Sequence, residues 1–153
     1  MTNAIYLEAP GVIGPSLFMA GGITDCPDWQ AEFYKMMSNE RIVLFNPRRE
    51  NFPIHDPSAS KAQIAWEFDH MKRADMISFW FPAETLCPIE LFELGRWSWT
   101  DKTIFVGTDP EYERRRDVII QLDLARPDVK VASSLKSLVD QVKIHLRETL
   151  GIA

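Results

Sequence analysis

The chain alternates short apolar runs with stretches of helical periodicity, and nothing else in it constrains the fold as strongly. Residues 16–20, Ser-Leu-Phe-Met-Ala, read as a core strand ended by Gly21 and Gly22. A helix over 28–38 follows, with Trp29, Phe33 and Met36 or Met37 on its inner side. Residues 41–45 form a second apolar run, which Asn46-Pro47 stops. A polar, proline-containing loop spans 48–57. Ser58 or Ser60 then caps a helix running to about residue 73, with Ile64, Phe68 and Met71 as its apolar positions. A third strand over 76–81, a helix over 88–99, a fourth strand over 102–106 and a charged helix over 112–124 continue the pattern. A fifth, short strand over 129–132 precedes a last helix over 135–150, capped by Ser133 or Ser134 and stopped by Gly151. Leu138, Val142, Ile144 and Leu150 are its expected core contacts.

Strands alternating with helices mean βαβ units and a parallel sheet. The predicted fold is therefore α/β, a flavodoxin-like doubly wound sheet of five parallel strands in the order 2-1-3-4-5. At 153 residues the chain fits one domain, with residues 1–14 as an N-terminal extension. In such a sheet, ligands bind outside the carboxyl ends of the strands, where the strand order reverses. Here that point lies between strands 1 and 3, so the loops over 21–29, 46–57 and 82–93 should meet there.

Charge and cysteine content narrow the partners. The formal net charge of -5 gives no electrostatic case for nucleic acid or an anionic membrane. No apolar run approaches the ~20 residues of a spanning helix, and residues 1–16 lack the basic and apolar regions of a signal peptide. Cys26 and Cys87 form no CxxC pair and lie near no histidine cluster, so a metal is not expected and a reduced, cytoplasmic protein is the simplest reading. No GxGxxG, P-loop or GxSxG is present, and no cofactor is expected.

The loop edge carries the chemistry. Pro88 suits the first turn of a helix, and Glu90 and Glu93 lie three residues apart on one face of it. A carboxylate there can act as nucleophile or as acid/base. Gly21 and Gly22 permit close approach of backbone to a ligand or form a plain turn. Asn46 stands at the end of strand 2, and Arg48 and Arg49 after it can hold a phosphate or carboxylate, or pair with Glu50 or Asp56. Glu67 shares a face with His70, Met71 and Ala74, which marks it as a buried, working carboxylate; Asp69 and Arg73 pair at i,i+4. His70, beside Asp69, reads as a surface or capping residue. One or two of the five tryptophans could stack on a flat ring at the crevice. Carboxylates with an amide, glycines and arginines suit attack on an anomeric carbon with protonation of a leaving group.

The segments Leu17-Phe18-Met19-Ala20-Gly21-Gly22-Ile23, Asp28-Trp29-Gln30, Asn46-Pro47-Arg48-Arg49, Trp66-Glu67, Ala74-Asp75, Phe79-Trp80-Phe81-Pro82 and Glu93-Leu94-Gly95 resemble, in order and spacing, the nucleoside 2-deoxyribosyltransferase superfamily, in its nucleoside 2-deoxyribosyltransferase-like branch. The resemblance implies a flavodoxin-like homo-oligomer whose subunits complete one another's sites, acting on a small nucleoside or nucleotide and a free nucleobase. It implies that Glu93 is the nucleophile and forms a covalent deoxyribosyl intermediate at C1′, with Glu67 handling the base. Phe18 stands where the family often has a tyrosine, and Cys87 where the transferases carry an aspartate. Three readings follow: nucleobase exchange on 2′-deoxyribose, hydrolysis of a nucleoside monophosphate with Arg48 or Arg49 on the phosphate, or an inactive nucleotide-binding module.

Overall fold

The computed structural model describes residues 14–49, 52–53 and 55–152. The expected N-terminal extension falls almost wholly outside them, as does Glu50, one of the acids weighed as a partner for the arginine pair. Among the described residues four strands form one sheet: β1 (Ser16–Gly21), β2 (Val43–Phe45), β3 (Met76–Phe81) and β4 (Thr103–Thr108). All pairings are parallel and the order is β2-β1-β3-β4. The helices are α1 (Trp29–Met36), α2 (Pro57–Arg73), α3 (Pro88–Ser98), α4 (Arg115–Ala125) and α5 (Leu135–Glu148).

Side chains alternate across the sheet, as the pleat requires. Leu17, Met19, Met76, Trp80 and Phe105 face one side and pack on α1 and α5 through Phe33, Leu138, Val142 and Leu146. Phe18, Ala20, Ile77, Phe79, Phe81 and Val106 face the other and pack on α2, α3 and α4 through Met71, Leu94, Val118 and Leu122. Helices thus cover both faces, and β3 is buried along its whole length, as a nearly continuous apolar run requires.

The expected fifth strand does not form. Residues 129–132 contribute one isolated bridge, Gly107 to Ala132. The Val129 N–H donates to the Arg126 carbonyl at 2.9 Å, so the chain is still turning there. Ser134 already caps α5, accepting from the Ser137 N–H at 3.0 Å. Too few residues remain between turn and cap to run beside β4.

Helix α2 departs from expectation in three ways. Its cap is Asp56, which accepts from the Ser58 N–H at 2.9 Å and the Ala59 N–H at 3.5 Å; neither Ser58 nor Ser60 fills that role. Ile64 and Phe68 are 63% and 49% exposed. The inward stripe instead runs through Gln63, Trp66, His70, Met71 and Ala74. His70 is buried, not superficial: its ring stacks on Trp66 at 4.0 Å, meets Phe45 edge-on at 5.0 Å, and its Nδ1 lies 2.8 Å from the Trp66 carbonyl. In α5, Ile144 and Leu150 are likewise 50% and 44% exposed rather than core. Because α2 runs back against the strands, its N-terminal half overhangs the carboxyl edge of the sheet. Polar residues on its inner stripe there face the crevice, not the core.

Candidate functional site

A cavity of about 670 Å³ opens at that edge, walled by the segments after β1 and β2 and by the starts of α2 and α3. Gly22 contributes from β1, Arg49 and Phe52 from the loop after β2, Gln63 and Glu67 from α2, and Cys87 and Glu90 from α3. The volume is in the range of small-ligand sites.

The carboxyl edge of β1 is built on glycine for steric reasons. Gly21 has φ +151°, and a Cβ there would strike the Trp80 carbonyl and lie 2.6 Å from the Trp29 ring. At Gly22 a Cβ would meet Pro82 at 2.9 Å and the Cys87 sulfur at 3.0 Å. The Gly22 carbonyl accepts from the Trp29 indole N–H at 2.8 Å, so it is held inward. Arg48 clips the same region: its Nε donates to Gln30 Oε1 at 2.8 Å and its Nη2 to the Pro27 carbonyl at 2.9 Å, with Asp28 at 3.3 Å. Its fork is committed to joining the loops after β1 and β2. The Asn46 Oδ1 accepts from the Arg48 N–H at 2.9 Å and so shapes that turn. Of the two arginines, Arg49 is the one on the cavity wall.

Phe18 is 1% exposed in the sheet interior, 6.0 Å from the Trp66 ring, and lies behind the site rather than on its wall. None of the five tryptophans is among the residues that line the cavity; Phe52 is its aromatic group. Trp29 and Trp80 are core, and Trp99 is 84% exposed.

Three acids define the electrostatics. Glu67 and Glu90 line the cavity, while Glu93, one turn along α3 from Glu90, is only 7% exposed. Burial pushes the Glu93 carboxyl up to about 8, and the charges of Glu67 and Glu90 add to it, with Arg96 pulling the other way. Burial likewise pushes Glu90 up to about 7, with help from Glu67. Glu67 is raised by burial, against a hydrogen bond from Gln63 and the charge of Arg49. Each charge therefore opposes the others, and the three titrate as a set. Near neutrality such a set holds protons as well as charge, the combination needed by an acid beside a nucleophile. Cys87 differs: burial first, then the charge of Glu90, pushes its thiol up to about 12, so it keeps its proton and serves as a neutral wall. Its backbone is left-handed, φ 53°, at the start of α3, and Pro88 follows at the first helical position.

Gln63 was not anticipated as a site residue. Its Nε2 donates to the Pro47 carbonyl at 3.0 Å and to Glu67 Oε1 at 2.8 Å. Its Oε1 is buried and meets no donor among the described residues. Leaving such an acceptor unpaired costs about 1–3 kcal/mol. The signal was present in the sequence: Gln63 lies four residues before Glu67, on the same helix face.

Both cysteines are free thiols. Among the described residues no group of three or more His, Cys, Asp or Glu is arranged to hold a metal ion, and no helix is long and apolar enough to cross a membrane. No curated protein matches the chain. A family model described as nucleoside 2-deoxyribosyltransferase like matches residues 14–112, a span containing β1 to β4 and every residue that lines the cavity. With about two thirds of its length matched, the chain belongs to the nucleoside 2-deoxyribosyltransferase-like family.

Proposed function

We propose that this protein is a nucleoside 2′-deoxyribosyltransferase, a pentosyltransferase that exchanges nucleobases on 2′-deoxyribose through an ester between Glu93 and the sugar. The observation that carries this reading is the coupling of the buried Glu93 to Glu67 and Glu90, which line the cavity beside the strand-order reversal, within the span matched to the family.

The chemistry follows from unequal proton sharing. Burial and the two neighbouring charges keep the proton on Glu93 up to about 8, so the reactive form is the one in which that proton has passed to Glu67; from it a Glu93 oxygen attacks C1′ as the C1′–N bond breaks. The bond's electron pair leaves on the base nitrogen, and the Glu67 proton neutralises the departing base. A second base then gives its ring N–H proton to the Glu67 carboxylate as that nitrogen attacks C1′ from the vacated side, the ester breaks, and the Glu93 carboxylate returns, with net retention. Glu90 lies between the two roles: its charge state sets how readily Glu93 gives up its proton. The wall glycine Gly22 lets the sugar approach the backbone closely. The partners of the reaction are a nucleoside or nucleotide and a free nucleobase.

Arg49 on the wall supports a second reading, hydrolysis of a nucleoside monophosphate with water as acceptor and Arg49 on the phosphate. A homo-oligomer belongs to the proposal too. Ile64 and Ile89, both on the cavity rim, and nearby Phe68 and Phe92 are exposed, with the Arg96 guanidinium 5.2 and 5.0 Å from the two phenyl rings. A patch of this kind suits burial in an interface.

The test is base exchange by the Glu93→Ala variant. The variant should keep its circular dichroism spectrum and lose exchange by about a thousandfold or more. Exchange at the wild-type rate would remove Glu93 from the mechanism. Release of free sugar without exchange in the wild type would favour the hydrolytic reading.

A further inference from the structure

The side-chain amide of Gln63 is a donor that cannot turn over. Its Nε2 lies 3.0 Å from the Pro47 carbonyl and 2.8 Å from Glu67 Oε1. A backbone carbonyl can only accept, so the NH₂ end must face it. The Pro47 carbonyl is itself held in place, because Asn46 Oδ1 accepts from the Arg48 N–H at 2.9 Å and closes the turn around Pro47. Reversing the amide would set Gln63 Oε1 against two oxygens at once. The buried Oε1 goes without a donor among the described residues so that those two oxygens keep theirs. The Glu67 carboxyl accepts no other hydrogen bond among the described residues.

We infer that Gln63 is a positioning residue for the proton of Glu67: its fixed NH₂ holds one carboxyl oxygen as an acceptor in every charge state, so the proton that Glu67 gives and takes back travels on the other. The inference rests on the proposed role of Glu67 as the acid that protonates the departing base. An O–H on the Gln63 side would meet an N–H head-on, donor against donor. The proton therefore sits on the second oxygen, and the amide leaves that oxygen to the cavity that Glu67 lines. When the base departs with the proton, the carboxyl becomes a carboxylate and the Gln63 hydrogen bond becomes charge-assisted and stronger. An interaction that strengthens as the proton moves is one that speeds the step. Other groups act on Glu67 as well. Arg49, in the loop after β2, favours its charge, while Glu90 and Glu93 on α3 repel it. Gln63 alone in this group has no charge to change, so its pull on Glu67 is the same whatever the other acids hold.

The experiment reads Glu67 and Gln63 directly by isotope-edited NMR during a pH titration. The Glu67 carboxyl carbon is identified by its loss in Glu67→Gln, and the Gln63 side-chain amide by its loss in Gln63→Met. In the wild type the Gln63 amide proton hydrogen-bonded to Glu67 should move downfield as Glu67 ionises, with the same midpoint. Gln63→Met keeps the bulk and removes the donor, and it should raise the Glu67 midpoint by about one pH unit. In exchange between a 2′-deoxynucleoside and a free base, it should lower kcat about tenfold while KM changes less than about threefold. A Gln63 amide that ignores the Glu67 titration overturns the inference in the wild type alone, whether or not the variant folds. So does a Glu67 midpoint in Gln63→Met that is unchanged or lowered, or an unchanged kcat in an active enzyme. Amide and carboxyl titrating together in a protein that cleaves no nucleoside would uphold Gln63 as the residue that places the Glu67 proton and count against the enzymatic proposal alone.

Discussion

The Glu93 carboxyl should make the fold weaker as the pH rises. Its ordinary value is 4.5 and burial with two acidic neighbours carries it to about 8. Between those values the folded chain holds a proton that the unfolded chain has released. Stability therefore falls with rising pH, by at most about 1.4 kcal/mol per pH unit, and is lowest above the folded value. The whole interval would amount to about 5 kcal/mol. Water entering between the acids as they charge takes up part of it, leaving an expected loss of about 3 kcal/mol. That is a large share of a total of about 5–15 kcal/mol for a domain. Glutamine has no proton to lose. Glu93→Gln should thus match the wild type at pH 5 and exceed it by about 3 kcal/mol at pH 9, while losing activity at both. Urea denaturation at pH 5, 7 and 9 measures this as a widening gap in midpoint at constant slope. Wild-type and variant curves that stay parallel across the range would refute the reasoning, as would a variant less stable at pH 9. Either result would mean that the charged form of Glu93 is welcome where it sits.

Gly21→Ala combines a left-handed backbone with a Cβ 2.6 Å from the Trp29 ring, so it should cost about 3 kcal/mol or more, read as a drop in melting temperature. An unchanged melting temperature would show that β1 can shift away from Trp80. The two arginines should separate cleanly. Arg48→Ala loses the clip to Gln30 and Pro27 and should cost about 1–3 kcal/mol of stability. Arg49→Ala should leave stability within about 0.5 kcal/mol and weaken binding of a nucleoside monophosphate about fivefold or more relative to its nucleoside. The reverse pattern, or equal losses, would contradict the assignment of roles.

Much of this was legible in the chain because period and punctuation agreed. β3 was read to the residue, since an uninterrupted apolar run between Asp75 and Pro82 has one sensible conformation in a parallel sheet. Alternation gave the parallel sheet, and the doubly wound, flavodoxin-like order assigned to it holds for the first four strands. The convergence of Gly22, Arg49 and Glu90 followed from the same order, because it places their loops at one edge; Glu67 reaches that edge from within α2. What failed failed for local reasons. Residues 129–132 have strand composition, but a turn at Arg126 and a cap at Ser134 leave room for a single bridge. Ile64 and Phe68 were assigned inward because apolar residues usually are; the crevice reverses that rule by claiming the inward positions of α2 for Gln63 and Glu67. His70 looked exposed beside a charged neighbour, whereas the ring of Trp66 one turn back provides a stacking partner that shields it. Gln63 went unread because its spacing to Glu67 marks only a shared helix face; what fixes its amide is the Pro47 carbonyl, which the sequence does not place beside it.

The most direct test is intact-mass analysis after incubation with a 2′-deoxy-2′-fluoro nucleoside, whose electron-withdrawing fluorine slows breakdown of a sugar ester. A mass increase equal to one fluorinated pentosyl group, mapped to the peptide that contains Glu93 and missing from Glu93→Ala, is the expected result. Turnover of natural nucleosides with no adduct, or an adduct on any other side chain, would contradict Glu93 as the residue that carries the sugar.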